Sequence, residues 1–453
     1  MKYSEKIHNF IVSEKDSLIS LVSELVSVRS VMSDAAENAP FGKENARVLD
    51  IMLGHCRHLG LKTVNIGNAI GYADFGDNPG LAVLCHLDVV PGGEGWKADP
   101  FTLRCENDRL IGRGTSDDKG PAAAALFAVK AVMELGLPLK KGIRLIFGTN
   151  EENGSADLNY YLREEKMPPM VFTPDGEYPV INIEKGMIRL RLSCDMPDNS
   201  PVISFSGGSV INAVPASAEA ALRNIIPVPE EKFAGTSFEC ARENDFFSVR
   251  ARGVSAHAST PESGKNAVTA LLGLIAESFP ECEEIIRLSE LFPYGETDGS
   301  SLNAAEKDDI SGELTAVLSI LELKDNRLSA YVDVRFPVSC TSSRVIGNIS
   351  RTAAEKGFGC EVILADEPHH TDENSPFVRT LLKVYGEIMN VEAKCIAIGG
   401  GTYVHHIDGG VAFGAQFPGE DVNMHGAEEY ITIEGLLKNA EIMANAMTEL
   451  CLE

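Results

Sequence analysis

The chain has 453 residues, of which 44% are hydrophobic and 23% charged, and its formal net charge is −26. This length fits two or three domains and leaves ample material for buried cores. The acidic balance argues against a nucleic-acid partner, because such binding depends on Lys and Arg side chains that neutralise phosphates. It argues equally against an anionic membrane surface, so neither kind of partner is expected.

Targeting signals are not evident. The opening MKYSEKIHNF is charged and mixed, without the apolar core of a signal peptide. The richest apolar run, residues 121–137, is interrupted by Lys130 and Glu134 and is too short for a transmembrane helix. The ten cysteines are scattered without a CxxC pair, which is typical of free thiols in a reducing compartment. A cytoplasmic location is predicted.

Helical and strand-like segments alternate over the first part of the chain. An amphipathic helix, with apolar residues at i, i+3, i+4 and i+7, begins near Leu18. Apolar strand-like runs follow at 81–85, at 143–147 and around Val171, and a helical run lies over 121–137. This alternation predicts an α/β fold in which helices flank a mostly parallel sheet. Sites in such folds lie outside the carboxyl ends of the strands.

After Gly186 the sequence pattern changes to alternating apolar and polar residues, which is typical of half-buried antiparallel strands. One helix is predicted among these strands, over 265–279. We interpret residues 187–365 as an α+β domain inserted into a first domain made of 1–186 and 366–453. The insertion follows because His425, a candidate metal ligand, lies in the last segment and must return to the first domain.

Five metal-seeking side chains stand at the edges of apolar runs or in glycine-rich turns. They are His86 in LCHLD, an aspartate in GRGTSDDKG, a glutamate in TNEENGS, Asp175 in TPDGE and His425 in NMHGA. Taken singly, Asp175 is more typical of a turn and His425 of a structural role. Together, two imidazoles and three carboxylates suit two zinc ions that share one carboxylate. Because a two-metal site of this kind activates water, a hydrolase is predicted.

Two of these positions hold adjacent carboxylates, and spacing does not say which member binds metal. Either Asp117 or Asp118 can instead cap the helix predicted at Pro121. Glu151 and Glu152 would repel each other if they were buried without a cation. If one of the two glutamates binds zinc, the other can take a proton from the attacking water as a general base.

Asp88 lies two residues after His86, and in an extended segment both side chains point the same way. A carboxylate behind a metal-bound imidazole fixes the ring's tautomer and raises its basicity. Whether the Asp88 side chain reaches the ring cannot be read from the spacing.

Five blocks of the sequence resemble the signature blocks of the dinuclear zinc peptidases related to carboxypeptidase G and the aminoacylases. The likeness is greatest to the PepV-type dipeptidases of the carnosinase group, and the blocks are HLDVVPGGEGWKADPF, GRGTSDDKG, TNEENGS, TPDGEYP and MHGAEEY. The resemblance implies two Zn²⁺ ions, with Mn²⁺ or Co²⁺ as substitutes. It implies these roles: His86 and Asp175 for one ion, Glu152 and His425 for the other, Asp117 as the bridge, Glu151 as general base and Asp88 as the partner of His86.

The same resemblance implies substrate contacts in the inserted domain. His257 matches a histidine that reaches the scissile carbonyl oxygen, and Asn212 and Arg335 match groups that hold the dipeptide. Arg335 would bind the terminal carboxylate, which a guanidinium can do through two parallel hydrogen bonds. Gly400 and Thr402 match a glycine-rich loop on the substrate side.

Two features complicate this interpretation. Arg335 lies in a predicted strand, where it can simply pair with Asp333. His405 and His406 stand where relatives usually carry a small residue and an arginine, which puts the side-chain preference in question but not the reaction.

The resemblance therefore implies a dinuclear zinc dipeptidase. An N-acyl amino acid deacylase or desuccinylase with the same site is the alternative among hydrolases. A non-catalytic metal-dependent binding protein is the alternative from another class. Because the inserted domain is large, we expect it to act as a lid that supplies His257 from the same chain. A monomer is predicted, with a homodimer as the alternative.

Overall fold

The computed structural model describes residues 1–226, 233–243 and 245–452. The chain divides into two compact units. The first contains Met1–Asn182, His370–Ile396 and Thr402–Glu453, and the second contains Ile183–His369 and Ala397–Gly401.

The described residues form ten α-helices: α1 (Ser4–Ser13), α2 (Lys15–Val26), α3 (Lys43–His58), α4 (Lys119–Glu134), α5 (Leu158–Glu164), α6 (Ala267–Ser278), α7 (Glu283–Leu291), α8 (Ser342–Glu355), α9 (Pro376–Met389) and α10 (Ile433–Cys451). None of these helices is both long and apolar enough to span a bilayer.

Strands β1 to β13 are β1 (Lys62–Ile66), β2 (Ile70–Phe75), β3 (Pro79–His86), β4 (Arg104–Glu106), β5 (Arg109–Ile111), β6 (Gly142–Gly148), β7 (Met170–Thr173), β8 (Gly176–Glu177), β9 (Val180–Glu184), β10 (Gly186–Asp195), β11 (Val202–Gly207), β12 (Ala213–Val214) and β13 (Ser217–Leu222). Strands β14 to β26 are β14 (Ser237–Glu243), β15 (Phe246–Arg252), β16 (Ala256–His257), β17 (Lys307–Asp308), β18 (Gly312–Glu313), β19 (Thr315–Lys324), β20 (Arg327–Phe336), β21 (Gly359–Asp366), β22 (His369–His370), β23 (Cys395–Ile398), β24 (Gly410–Ala412), β25 (Ala415–Gln416) and β26 (Tyr430–Thr432).

The first unit is built on a sheet with the strand order β1-β2-β6-β3-β7-β24-β9-β22, in which β23 also pairs with β9. The central strands β6, β3, β7 and β24 are parallel. Strands β1, β2 and β6 pair antiparallel, and β24 pairs antiparallel with β9. The predicted α/β fold is confirmed, and the parallel arrangement is confined to the centre of the sheet.

Helices pack on this sheet through small and aliphatic side chains. Helix α4 is buried along nearly its whole length, because its alanines let α10 and α2 approach closely. Strand β3 is apolar and buried over consecutive residues, as expected for a parallel strand covered on both faces. This packing fixes the carboxyl ends of β3, β6 and β7 at one edge of the sheet.

The second unit contains an antiparallel eight-stranded sheet with the order β14-β15-β13-β11-β19-β20-β10-β21. Its core lies between one face of the sheet and helices α6, α7 and α8. Helix α6 begins at Ala267 because the Asn266 side chain accepts hydrogen bonds from the first-turn N–H groups. The predicted α+β character of this part of the chain is confirmed.

Strand β20 presents its alternate residues to the two faces of this sheet. Val332 and Val334 belong to the core, and Asp333 and Arg335 therefore point to the opposite face. On the neighbouring strand β10, Arg189 lies opposite Asp333 in the antiparallel register. Strand alternation alone thus gathers three charged side chains on one face.

Candidate metal centre

Two predicted metal ligands and the predicted general base follow parallel strands of the first unit. His86 is the last residue of β3, Glu151 opens a short 3-10 helix after β6, and Asp175 follows β7 by two residues. Because the strands are neighbours and parallel, their carboxyl ends meet at one edge of the sheet. The fold therefore brings together side chains that are far apart in sequence.

The structure gathers six ionisable side chains at this edge into two groups with ligand atoms within 4.8 Å of one another. One group comprises His86, Glu151 and Asp175, and the other comprises Asp117, Glu152 and His425. All five ligands inferred from the sequence lie in these groups, together with Glu151.

Asp117 lies between the two imidazoles. Its Oδ1 is 2.9 Å from His86 Nε2 and its Oδ2 is 2.8 Å from His425 Nε2. His425 Nε2 is also 3.2 Å from Glu152 Oε2, and His86 Nε2 is 3.8 Å from Asp175 Oδ2. Each oxygen of one carboxylate thus faces a different imidazole, the arrangement that a bridging ligand requires.

The electrostatics of the cluster are those of a cation site. Burial and the charge of Asp175 raise the pKa of Glu151 well above its ordinary value. Burial likewise raises the pKa of Glu152. Burial opposes ionisation of Asp117 too, but hydrogen bonds from His425 and His86 hold its pKa well below the ordinary value.

Four buried or partly buried carboxylates thus meet only two imidazoles, and their mutual repulsion is relieved when cations bind. The donors are imidazole nitrogens and carboxylate oxygens, which are ligands that zinc accepts. The residues present therefore fit a pair of metal ions.

Asp88 holds the turn that carries the two glutamates. Its carboxylate accepts hydrogen bonds from the main-chain N–H groups of Glu151 and Glu152, each at 3.1 Å. His86 Nδ1 lies 3.0 Å from the Asp88 main-chain oxygen and 3.5 Å from Oδ1 of the carboxylate. The side chain therefore fixes the glutamate turn, and the main-chain oxygen makes the shorter contact with the imidazole.

Asp118 does not act as a side-chain helix cap. It occupies the N-cap position of α4 without a capping hydrogen bond from its side chain. Instead its Oδ2 accepts the main-chain N–H of His86 at 3.0 Å. The second aspartate of GRGTSDDKG thus anchors the end of β3, while the first faces the two imidazoles.

Glu429 secures the loop that carries Asp117. Its buried carboxylate accepts main-chain N–H groups from Gly114 (3.0 Å), Ser116 (3.0 Å) and Asp117 (3.3 Å). It also pairs at 2.6 Å with the buried guanidinium of Arg113. These bonds fix the loop that positions the Asp117 carboxylate between the two imidazoles.

Asp157 plays a similar part at the end of β6. It is buried, and its Oδ2 accepts the N–H groups of Thr149 (2.6 Å) and Asn150 (2.9 Å) and the hydroxyl of Tyr403 (2.7 Å). Burial and the charge of Asp88 raise the pKa of Asp157 to about 6.

Sequence reasoning missed these supporting roles of Glu429, Asp118 and Asp157. The pair Glu428-Glu429 stands directly before an apolar strand, and that was the only local signal for a buried acid. Arg113, the partner of Glu429, is 316 residues away in the sequence, and no spacing rule connects the two residues.

The predicted substrate contacts lie in the second unit, apart from Thr402. Ala258, next to His257, donates its N–H to the main-chain oxygen of Asn212 at 2.9 Å. Strand β12 pairs with β16, which sets Ala213 opposite His257. Asn212 and His257 are therefore neighbours on paired segments.

Arg335 is buried and held on two sides. Its Nε and Nη2 donate to Asp333 at 2.6 and 3.1 Å, and its Nη1 donates to the main-chain oxygen of Gly399 at 2.9 Å.

The remaining predicted positions lie in and after the glycine-rich loop. Gly400 belongs to the second unit, and Thr402 to the first. His405 and His406 have ring centroids 4.9 Å apart, and neither belongs to the two ligand groups above.

A comparison with protein families decides the assignment. The family described as Peptidase family M20/M25/M40 matches residues 82–449. The chain belongs to this family. It is a metallopeptidase, and the resemblance found in the sequence is confirmed at the level of this family.

Relatives match the M20 chain over nearly its whole length. The Bacillus subtilis (strain 168) protein named "Putative dipeptidase YtjP" is 35% identical over 467 residues, covering 97% of this chain and 98% of that protein. The crystal structure of human carnosine dipeptidase 1 has a TM-score of 0.64 at 15% identity, over 99% of this chain and 98% of that one. The Saccharomyces cerevisiae di-peptidase Dug1p has a TM-score of 0.61 at 13% identity, over 98% of each chain. At such identities the two structures establish the fold alone.

Proposed function

We propose that this M20 peptidase is a dipeptidase that uses two zinc ions. The observation that carries the proposal is the position of Asp117, whose two oxygens lie 2.9 and 2.8 Å from the Nε2 atoms of His86 and His425. Family membership supports a peptide substrate. The name of the Bacillus subtilis relative, a putative dipeptidase aligned over 98% of its length, supports it as well. All ten cysteines are free thiols, which supports the cytoplasm as the location.

His86 and Asp175 would hold one ion, Glu152 and His425 the other, and Asp117 would be shared. Zinc is favoured by the mixed nitrogen and oxygen donors, with Mn²⁺ or Co²⁺ as substitutes. When bound, the ions supply Lewis acidity toward the peptide carbonyl and toward the attacking water.

Glu151 is the proposed general base. Its raised pKa, caused by burial and by Asp175, suits a carboxylate that takes a proton and gives it up again. The water oxygen forms a bond with the carbonyl carbon, and its proton passes to Glu151. As the C–N bond breaks, Glu151 delivers that proton to the leaving amine.

His257 and Arg335 are the proposed substrate contacts. Partial desolvation and the nearby charge of Arg335 lower the pKa of His257, which favours a neutral imidazole that donates one N–H to the carbonyl oxygen. Arg335 would bind the terminal carboxylate of the dipeptide with Asn212 beside it, because a buried guanidinium is a strong partner for an anion. Gly400 and Thr402 are proposed to contact the substrate from the glycine-rich loop.

The decisive experiment combines metal analysis with a substrate panel. Purified enzyme is assayed on dipeptides, N-acetyl amino acids and N-succinyl amino acids, with and without a chelator. We expect zinc in the protein, cleavage of dipeptides, and loss of activity on chelation that zinc restores. Activity confined to the blocked amino acids would instead identify a deacylase, and bound metal without any hydrolysis would identify a binding protein.

A further inference from the structure

The imidazole of His257 has a defined donor and acceptor side. Its Nδ1 lies 3.3 Å from the main-chain N–H of Ser259, which donates to it, and 2.7 Å from Ser259 Oγ. A main-chain N–H can only donate, so Nδ1 must offer its lone pair. The single proton of the neutral ring is therefore on Nε2, and Nε2 becomes the donor that faces away from Ser259.

Ser259 is in turn packed against Gly399. A Cβ atom at Gly399 would lie 2.4 Å from the Cβ and 3.2 Å from the Oγ of Ser259. Gly399 does not have a left-handed backbone conformation, so the requirement for glycine here is one of space. Any larger residue would push Ser259 away from its present position.

Gly399 also contacts Arg335. Its main-chain oxygen accepts one Nη1–H of the guanidinium at 2.9 Å, while Asp333 accepts the Nε–H and one Nη2–H. A guanidinium has five N–H donors, so one N–H remains on each terminal nitrogen. These two N–H groups are left for a substrate carboxylate, which a guanidinium binds through two parallel bonds when both N–H groups point the same way.

The segment that contains Ala258 is also connected to strand β20, which carries Arg335. The hydroxyl of Thr315 donates to the main-chain oxygen of Ala258 at 3.1 Å, and Thr315 lies opposite Arg335 in the register of β19 and β20. Two separate routes, through Gly399 and through Thr315, thus connect the His257 segment to Arg335.

We propose that Ser259 is a positioning residue that fixes the Nε2–H tautomer of His257, and that Gly399 locks this imidazole to the Arg335 guanidinium as one recognition element. This inference rests on the proposed function, since it concerns how the scissile carbonyl and the terminal carboxylate of one substrate are recognised. Because Gly399 contacts both Ser259 and Arg335, a displacement of Gly399 should move both substrate-binding groups together.

The first test measures the tautomer itself. In the zinc-loaded enzyme, ¹⁵N–¹H NMR of the His257 ring, assigned by its loss in His257→Gln, should give an unprotonated Nδ1 and a protonated Nε2. Ser259→Ala removes the shorter contact to Nδ1, at 2.7 Å, and keeps only the main-chain contact at 3.3 Å, so the population of the Nε2–H tautomer should fall without being abolished. The substitution should also lower kcat about tenfold, less than the ~10²–10³ typical of deleting an oxyanion donor. Ser255→Ala, which changes an exposed serine two residues before His257, is the matched control and should change neither.

The second test measures the connection to Arg335. Gly399→Ala should lower the ratio of kcat/KM for a free dipeptide to kcat/KM for the corresponding dipeptide amide. The reason is that it displaces the Arg335 guanidinium, which is proposed to bind the terminal carboxylate. Gly347→Ala, at a glycine whose added Cβ meets nothing within 4 Å, is the control. If Gly399→Ala does not fold, Ser259→Val enlarges the other side of the same contact and should lower the ratio in the same way.

A wild-type tautomer and wild-type kcat in Ser259→Ala would overturn the role of Ser259. An unchanged dipeptide-to-amide ratio in the folded Gly399→Ala or Ser259→Val variant would overturn the link to Arg335. Failure of the proposed function is a separate result. An enzyme that cuts only N-acyl amino acids still has a carbonyl and a carboxylate to recognise, and the NMR measurement applies to it unchanged.

Discussion

Glu151 and Glu152 are adjacent carboxylates with different neighbours. Glu152 groups with Asp117 and His425, whereas Glu151 groups with His86 and Asp175. Both glutamates belong to groups that could hold a metal ion, so their roles must be separated by what each substitution removes. This gives a direct test of the assignment of base and ligand.

We expect Glu151→Gln to keep two metal ions per chain and to lower kcat by roughly 10²–10⁴, the usual scale for a general acid–base group. We expect Glu152→Gln to lose metal first, because it removes a charged ligand. Metal content by elemental analysis and kcat at saturating zinc distinguish the two. Loss of metal from Glu151→Gln would make that residue a ligand, and unchanged turnover would exclude it from the chemistry.

We expect Asp88 to affect metal binding through the turn that it holds. Replacing its carboxylate by an amide in Asp88→Asn puts an NH₂ group against one of the main-chain N–H groups of Glu151 and Glu152. We expect zinc affinity to fall about 10- to 100-fold, as is typical when a group supporting metal ligands is altered. Competition with a chromophoric chelator measures it, and Asp309→Asn, at an exposed aspartate, serves as the control. Equal affinities in both variants would show that the turn holds without Asp88.

At the scale of secondary structure, the loop before α4 depends on a long-range ion pair. Arg113 and Glu429 are both buried and 2.6 Å apart, and Glu429 also accepts three main-chain N–H groups of the Asp117 loop. Removing one partner leaves an uncompensated buried charge, which typically costs about 3–5 kcal/mol.

Glu429→Gln should therefore lower the free energy of unfolding by about 3 kcal/mol and weaken metal binding as well. Urea unfolding of the metal-free protein measures the first effect without interference from the second. Glu428→Gln is a matched control on the neighbouring residue, whose partner Arg104 is only partly buried, so its effect should be much smaller. Equal losses in the two variants would show that burial of the Arg113 pair does not matter.

The sequence was sufficient to locate the strands that carry the candidate metal-binding edge. The run Leu81 to Cys85 and the run Ile143 to Phe147 lie within β3 and β6, because consecutive apolar residues are typical of parallel strands buried on both faces. The antiparallel edges of the sheet were not foreseen, because strand direction depends on the path of the connecting chain. The Arg113–Glu429 pair was out of reach for the same reason.

On the scale of the whole molecule, the prediction of a catalytic domain with an inserted lid remains a hypothesis about function. It has one clear consequence. If a single chain supplies both Glu151 and His257, two inactive variants cannot repair each other. We expect a mixture of Glu151→Gln and His257→Ala to remain as inactive as either variant alone, also after joint unfolding and refolding. Recovery of activity toward a quarter of the wild-type value would show that His257 acts on a partner chain.

Substrate length is the property in which the proposed recognition element should be most visible. The buried Arg335 guanidinium keeps two N–H donors free beyond those used by Asp333 and Gly399. In the proposed binding mode a dipeptide would place its terminal carboxylate there, whereas a tripeptide would place a neutral peptide group at the same position and extend past it.

Two charge-assisted hydrogen bonds are worth enough that kcat/KM should be about 10²-fold higher for a dipeptide than for the tripeptide extended at its carboxyl end. Arg335→Lys should narrow that ratio, because an ammonium cannot make the paired bonds. His257→Ala should instead lower kcat for both substrates by a similar factor, since both present the same scissile carbonyl. Steady-state kinetics on one dipeptide and its extended tripeptide measure all three ratios. If the wild-type enzyme cuts the two equally fast, Arg335 does not bind the terminal carboxylate, and its pairing with Asp333 serves the fold alone.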